Sequence, residues 1–381
     1  MKVLMSGGGT AGHINPALAI ADTIKKKFPD AEILFVGTPA GMESKLVPQA
    51  GFDYVSMPVS GFQRKLSLEN VRRNFEAAGH LILSGARSAK IIRDFQPDIA
   101  IGTGGYVCGP VLRKAAQMGV PVLVHEANAF PGVTVKMLAR YCDCVMLAVE
   151  DAKKRISAET EFVVTGNPVR AEVLEYDKAR ARRELGLDER PLIVSFGGSL
   201  GARTINESML DLLARSAKDG RYQHIHGYGK YGSFVLDELK QRGVKLKNCP
   251  NLDVREYISD MPRVMAAADL VICRSGAMAL TEVQALGKAA ILIPSPNVAE
   301  NHQYYNAMAM VDRGAAEIIV EKDITPQLLT EKADKLAGDR ARLEEMSKNA
   351  RNMAILDSRE RILNVVCSTL EKHGKCKRQG S

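Results

Sequence analysis

The chain has 381 residues, 46% of them apolar and 25% charged, with no tryptophan and a formal net charge of +8. That length exceeds one ordinary hydrophobic core and predicts two domains. The composition excludes a low-complexity chain, and no apolar run approaches the roughly 20 residues that cross a bilayer. The seven cysteines are odd in number and form no CxxC pair, which argues against disulfides and zinc and for a reducing cytosol. No basic and then apolar leader precedes the first strand, so no signal peptide is expected.

The first predicted strand, Val3-Leu4-Met5, runs into Ser6-Gly7-Gly8-Gly9-Thr10-Ala11-Gly12-His13, and Asn15 to Lys27 reads as a helix with Pro16 near its start. Buried parallel strands are predicted at 33–36, 99–101, 120–124, 144–149 and 162–164. The basic stretch 61–93 holds Arg64, Lys65, Arg72, Arg73, Arg87, Lys90 and Arg93 against Glu69 and Glu76. It lacks the interleaved aromatics of a base-stacking surface, so an anionic membrane is expected there rather than nucleic acid. Phe75, Leu81, Ile82 and Leu83 supply apolar groups in the same stretch.

A second series of strands follows Pro191, at 192–196, 224–226, 270–273, 290–293 and 317–320. Helices are predicted at 205–217, 277–285, 303–311 and 326–337, and a last one over about 340–370 packs back on the first domain. The β-α alternation in two blocks predicts two Rossmann-like domains facing across a cleft, 1–166 and 167–339.

Strand, glycine loop and helix N-terminus recur at Phe196-Gly197-Gly198-Ser199-Leu200-Gly201-Ala202, and such turns suit a phosphate or a developing anion. Gly7-x-Gly9-x-x-Gly12 also matches a dinucleotide fingerprint. The second strand, however, ends Phe35-Val36-Gly37-Thr38-Pro39 with no carboxylate for a ribose, which counts against a nicotinamide cofactor. His13, with Thr10 beside it, is a candidate base at a helix start. Gly102 to Tyr106 and His125-Glu126-Ala127-Asn128 close later strands of the same domain, and Glu126 is either a second chemical group or a loop-ordering one. In the second domain Ser275-Gly276 precedes a helix whose N–H groups suit phosphate, and Glu282 further along it is either an acceptor for ribose hydroxyls or an ordinary helix acid.

In order along the chain, Gly8-Gly9-Thr10-Ala11-Gly12-His13-x-x-Pro16, Gly104-Gly105-Tyr106-Val107-x-Gly109-Pro110, His125-Glu126-x-Asn128 and Gly166-Asn167-Pro168-Val169-Arg170 form one set of strings. Gly197-Gly198-Ser199-x-Gly201-Ala202-Arg203, Arg274-Ser275-Gly276-Ala277 and His302-Gln303-x-x-Asn306-Ala307 complete it. Together they resemble the MurG N-acetylglucosaminyltransferases. The resemblance implies a glycosyltransferase-B fold and transfer of N-acetylglucosamine from UDP to the C4 hydroxyl of undecaprenyl-diphosphate-N-acetylmuramoyl-pentapeptide.

It further implies that Ser199 and the backbone of Ala277, Met278 and Ala279 face the diphosphate with Arg170 nearby. Glu282 would hold the ribose and the Ile258 backbone the uracil, while the Ala277 backbone, His302, Gln303 and Asn128 would hold the sugar. Gly12, His13, Gly104, Gly105 and Tyr106 fall on the acceptor side, and Thr10 is assigned to both substrates. Ala127 and Leu200 depart from the family's Gln, and Ala279 from a phosphate-contacting Thr. No Asp-x-Asp dyad is present, so neither metal nor cofactor is expected, and His13 is the favoured base with Glu126 second. The implied partners are the donor, the lipid acceptor, the anionic inner-membrane surface and cell-wall synthesis proteins. The rival readings are a non-catalytic sugar-nucleotide-binding subunit, a lipid galactosyltransferase and a UDP-N-acetylglucosamine epimerase.

Overall fold

Strands covered by helices on both faces must be apolar throughout, and the central strands of this chain are. Val3, Leu4 and Met5 of β1 (Lys2–Ser6) are fully buried, as are Leu192, Ile193 and Val194 of β8 (Leu192–Phe196). The structure is a computed structural model that describes residues 1–59 and 84–375. Of the expected membrane stretch, Arg64, Lys65, Arg72, Arg73, Phe75, Leu81, Ile82 and Leu83 lie outside the described residues. By internal contacts the chain divides into Met1–Pro168 together with the segment from Ile355 onward, and Val169–Ala354.

Among the described residues, the first unit carries a parallel sheet in the order β3-β2-β1-β4-β5-β6-β7. Its other strands are β2 (Glu32–Gly37), β3 (Asp53–Ser56), β4 (Ile99–Gly102), β5 (Val122–Glu126), β6 (Cys144–Leu147) and β7 (Glu161–Val164). The second unit carries a parallel sheet in the order β10-β9-β8-β11-β12-β13. These are β9 (Gln223–Gly227), β10 (Leu252–Arg255), β11 (Leu270–Cys273), β12 (Ala289–Leu292) and β13 (Ala316–Ile318). In each sheet the first strand of the unit sits in the interior, where the strand order reverses. Ligands of open α/β sheets collect beyond the carboxyl ends of strands at that point. Register makes the two places concrete: Ser6 lies beside Val36 and Gly102, and Phe196 beside Gly227 and Cys273.

The helices of the first unit are α1 (Ala11–Lys27), α2 (Glu43–Gln49), α3 (84–95), α4 (Cys108–Gln117) and α5 (Val133–Leu138). The second unit has α6 (Ala171–Leu174), α7 (Lys178–Glu184), α8 (Arg203–Asp219), α9 (Phe234–Gln241) and α10 (Met261–Ala267). It continues with α11 (Ala277–Ala285), α12 (His302–Val311), α13 (Pro326–Ala337) and α14 (Arg340–Asn352), and α15 (Ser358–Lys372) returns to the first unit.

Three sequence expectations change. First, the helix expected over 340–370 is two helices. α14 stays with the second unit, whereas Ile362, Val366 and Leu370 of α15 join the first unit's core with Val3, Met5, Ile20 and Ile24. The break at 353–357 carries no glycine or proline. It is fixed by tertiary contact: a Cβ on Gly166 would come within 2.8 Å of Ile355, so the missing side chain is what seats that residue. Arg359 then pairs with Asp22 of α1 at 2.9 Å.

Second, α1 begins at Ala11, so Pro16 lies inside it and offers no N–H to the Gly12 carbonyl. Third, β3 and β10 are absent from the sequence reading. Both are edge strands with half-exposed residues, and their sequences DYVS and LDVR hold no continuous apolar run.

Candidate active site

In the first unit two glycine loops interlock at the carboxyl ends of β1 and β4. The Gly8 N–H donates to the Gly104 carbonyl at 3.3 Å, and the Thr103 hydroxyl donates to the His13 carbonyl at 2.7 Å. Gly105 has φ +90°, and a Cβ there would lie 2.3 Å from the Gly8 carbonyl oxygen, so no other residue fits. A Cβ on Gly104 would lie 2.9 Å from His13 Cδ2, so the imidazole lies close against that backbone.

His13 Nδ1 is 3.1 Å from the Gly8 carbonyl oxygen and 3.4 Å from Thr10 Oγ1. A carbonyl only accepts, so a hydrogen bond here needs the proton on Nδ1, the tautomer in which Nε2 is the basic nitrogen. Tyr106 stands 66% exposed over the same loops. Gly8, Gly9, Thr38, Pro39, Pro58 and Tyr106 line a recess of about 430 Å³. Of the residues expected on the acceptor side Tyr106 lines this recess, while His13 lies against Gly104 with Thr10 beside it.

A carboxylate absent from the sequence reading enters here. Glu43, six residues beyond β2 and 1% exposed, accepts the Gly9 N–H at 3.0 Å through Oε2. Its Oε1 accepts the Thr38 N–H at 3.0 Å and the Thr38 hydroxyl at 2.7 Å. Burial raises its pKa, but these hydrogen bonds outweigh burial and hold the carboxyl below its usual range. An anion under this glycine loop opposes a phosphate on it.

Glu126 ends β5, and both its oxygens are engaged. Oε1 accepts from the Asn128 N–H at 2.9 Å and the Asn128 amide at 3.0 Å, and Oε2 from the Gly132 N–H at 2.9 Å. Burial pushes its pKa up against those bonds. His125 is not its partner: His125 Nε2 faces the Gly166 carbonyl at 3.1 Å, and burial brings its pKa down to about 4. Asn128, expected at the donor sugar, belongs with Thr10 to the first unit and spends its amide N–H groups on Glu126.

The second unit holds the remaining donor residues at the carboxyl ends of its central strands. Ser199 is exposed in the loop between β8 and α8, where Gly201 has φ +84° and a Cβ would lie 2.3 Å from the Tyr228 carbonyl oxygen. Leu200, the family departure in this loop, is 57% exposed. Ala277, Met278 and Ala279 form the first turn of α11, which carries no acid, so its unpaired N–H groups face outward with their partial positive charge. Ser275, just before it, is fully buried, and its hydroxyl has no partner.

Glu282 lies further along α11, where Arg170 Nε donates to its Oε1 at 2.8 Å. Ile258 is 3% exposed, against Gly227. His302 opens α12 with Nδ1 2.8 Å from the Ala299 carbonyl oxygen, and burial lowers its pKa. Gln303 accepts the Ser295 N–H at 2.9 Å. A brace that sequence reading missed ties these loops together. Arg274 donates to the Ile293 carbonyl at 3.1 Å and pairs with Glu321, which also accepts the Thr204 hydroxyl at 3.1 Å.

The chain matches the glycosyltransferase family 28 N-terminal domain over residues 3–147 and the family 28 C-terminal domain over residues 192–362. It is 46% identical over 367 residues to the UDP-N-acetylglucosamine–N-acetylmuramyl-(pentapeptide) pyrophosphoryl-undecaprenol N-acetylglucosamine transferase of Acetivibrio thermocellus, spanning 96% of this chain and 97% of that one. The transferase of the same name from Caldanaerobacter subterraneus is 44% identical over 96% of this chain and 99% of its own. Among solved structures, MurG of Acinetobacter baumannii superposes with a TM-score of 0.78 at 28% identity, covering 96% of this chain and 99% of that one. The two parallel-sheet units are those of a glycosyltransferase-B fold. At these identities and spans the chain belongs to glycosyltransferase family 28, among its MurG N-acetylglucosaminyltransferases.

Proposed function

We propose that the chain transfers N-acetylglucosamine from UDP-N-acetylglucosamine to the C4 hydroxyl of undecaprenyl-diphosphate-N-acetylmuramoyl-pentapeptide, with inversion, giving the β1,4-linked disaccharide lipid of peptidoglycan synthesis. The observation that carries this reading is the set of anion-ready groups at the carboxyl ends of β8 and β11. The first turns of α8 and α11 hold no acid, and Arg170 pairs with Glu282 nearby. Helix N-termini and a guanidinium stabilise the charge that develops on a leaving diphosphate. Glu282 then takes the ribose hydroxyls while Arg170 turns toward phosphate, and the Ile258 backbone reads the uracil. His302 and Gln303 hold the sugar.

On the acceptor side, His13 Nε2 takes the proton of the C4 hydroxyl as its oxygen bonds to the anomeric carbon and UDP leaves. Nδ1–H on the Gly8 carbonyl fixes the tautomer that this step needs. Glu126 orders the loop beside the site, since both its oxygens are taken.

A lipid acceptor calls for attachment to the cytoplasmic face of the membrane, and among the described residues no helix is long and apolar enough to cross one. Three adjacent helices of the first unit supply a basic and apolar face. α3 exposes Arg87, Lys90 and Arg93, Gly85 lies against Lys114 of α4, and α5 with its C-terminal flank exposes Val133, Met137, Arg140 and Tyr141. Each basic residue near an anionic surface contributes on the order of 1 kcal/mol. Sedimentation with anionic liposomes should fall with salt and with Arg87→Glu plus Arg93→Glu, and equal recovery in every supernatant rejects the face.

The test of the reaction is incubation with radiolabelled UDP-N-acetylglucosamine and a lipid acceptor analogue. Label should enter the lipid, with and without EDTA. Conversion of the donor without acceptor would favour an epimerase, and donor binding without turnover a binding subunit.

A further inference from the structure

His13 is tied to a buried anion through a single peptide group. The Gly8 carbonyl that receives His13 Nδ1–H, at 3.1 Å, and the Gly9 N–H that donates to Glu43 Oε2, at 3.0 Å, are the two ends of one amide. The carboxylate sits in a place made for it. A Cβ on Gly8 would come within 2.6 Å of Glu43 Oε1, one on Gly37 within 2.6 Å of its Cγ, and one on Gly41 within 2.3 Å of Oε1. Three positions, one in the first glycine loop and two around the turn after β2, are thus empty of side chain where this carboxylate lies. Thr38 closes the cradle with its N–H and hydroxyl. Tyr54 of β3, whose hydroxyl donates to the Thr38 carbonyl at 2.6 Å, is pushed up in pKa by its burial and by the Glu43 charge.

On the reading that His13 Nε2 takes the acceptor proton, we propose that Glu43 is a positioning residue that sets the tautomer and basicity of His13 through the Gly8–Gly9 peptide. A negative charge on the amide N–H polarises that amide and makes its carbonyl oxygen a stronger acceptor. The stronger acceptor holds the proton on Nδ1, keeps the ring against Gly104, and stabilises the imidazolium that forms when Nε2 takes the C4 hydroxyl proton. Among the described residues, the groups facing the ring include the Gly8 carbonyl, the Thr10 hydroxyl and the Gly104 backbone, and Glu43 has Tyr54 as a titratable neighbour. The relay does the work that a directly bonded carboxylate does for a catalytic histidine, one amide removed. It also gives the anion under the first glycine loop a use, in a loop where it would only repel a phosphate.

The test compares the full-length protein with its Glu43→Gln variant, which keeps the shape of the side chain and loses the charge. Nitrogen-15 NMR of the imidazole reads tautomer and titration directly. In the wild type, His13 should be the Nδ1–H tautomer; an Nε2–H ring overturns the proposal without reference to any variant. In Glu43→Gln the His13 midpoint should fall by about half a pH unit or more. The acidic limb of kcat/KM should move down with it, and kcat should drop about tenfold, part of a general base's full contribution. Affinity for UDP, measured by calorimetry, should stay as in the wild type. A His13 midpoint and acidic limb that do not move in a folded Glu43→Gln protein reduce Glu43 to a loop brace. The base reading has its own arm: if His13→Ala turns over within about twofold of wild type, His13 is not the base. The NMR comparison still decides whether Glu43 controls the ring.

Discussion

The loops Gly7–Gly9 and Gly197–Gly201 end the first strand of their respective sheets and lead into α1 and α8, helices of equal length. Each packs against a neighbouring loop so tightly that a Cβ would lie 2.3 Å from a carbonyl oxygen, at Gly105 in one unit and Gly201 in the other. They differ in charge. The first sits on the buried anion Glu43, bonded to the Gly9 N–H; among the described residues no carboxylate bonds the Gly197–Ala202 loop, and α8 has no acid in its first turn. A glycine fingerprint therefore specifies a backbone shape and not a ligand. An anion beneath the turn suits a base that must become a cation, whereas a bare turn suits a leaving diphosphate.

Breaking the first loop's chemistry should have the largest effect. His13→Ala is expected to lower turnover a hundredfold or so, by the usual size of general-base catalysis. UDP affinity by calorimetry should remain unchanged, since the groups proposed to hold the UDP part belong to the second unit. A comparable loss of UDP binding would erase the proposed division of labour.

The mirror experiment is Glu282→Ala. It removes the ribose acceptor and leaves Arg170 without its 2.8 Å partner, so UDP affinity should weaken ten- to a hundredfold. That corresponds to about 1.5–3 kcal/mol for a charge-assisted hydrogen bond. Unchanged affinity in a folded protein refutes the assignment.

Gly105→Ala and Gly201→Ala test the shared shape. Each forces a side chain into a positive-φ position against a carbonyl, at φ +90° and +84° respectively, and should cost its own unit about 1–3 kcal/mol. Denaturant unfolding followed by hydrogen exchange would locate the loss, and equal softening of both units from either change contradicts independent loops.

Acid should separate the units more gently. Burial holds His125 of the first unit neutral down to about 4, and His226 and His224 of the second down to about 4 and about 3. Unfolded histidine binds a proton below its ordinary value near 6.5. The stabilising contribution of each group is therefore complete above that value and declines as pH falls toward the folded-state value. The slope is about 1.4 kcal/mol per pH unit for each histidine, so the second unit, with these two and the partly buried His302 shifted the same way, should soften more steeply. Exchange rates read from pH 7 down to 4.5 will show it, and parallel softening would mean that other groups dominate.

Much of this was legible in the chain. The strands Leu192–Phe196 and Leu270–Cys273 and the helices Ala277–Ala285 and Pro326–Ala337 begin and end where apolar runs, Gly276 and Pro326 put them. Fully buried strands and amphipathic helices write their periods into the sequence, and the order of the glycine strings carried the family. The edge strands β3 and β10 were not legible, because DYVS and LDVR hold no continuous apolar run. Neither was the break between α14 and α15, which a distant glycine decides.

What the sequence determined by itself is the two-unit α/β plan, the two glycine turns and the residue types around them. These depend on local conformational preference and on burial, both functions of neighbouring residues. Tertiary structure alone decided the electrical character of each turn. Glu43 lies thirty-four residues from Gly9, in a helix with no mark of chemistry, and reaches the loop only because β1 and β2 pair in parallel and α2 folds back over their ends. The same holds for Arg170 and Glu282, one hundred and twelve residues apart. Charges act through space, and only the fold sets those distances.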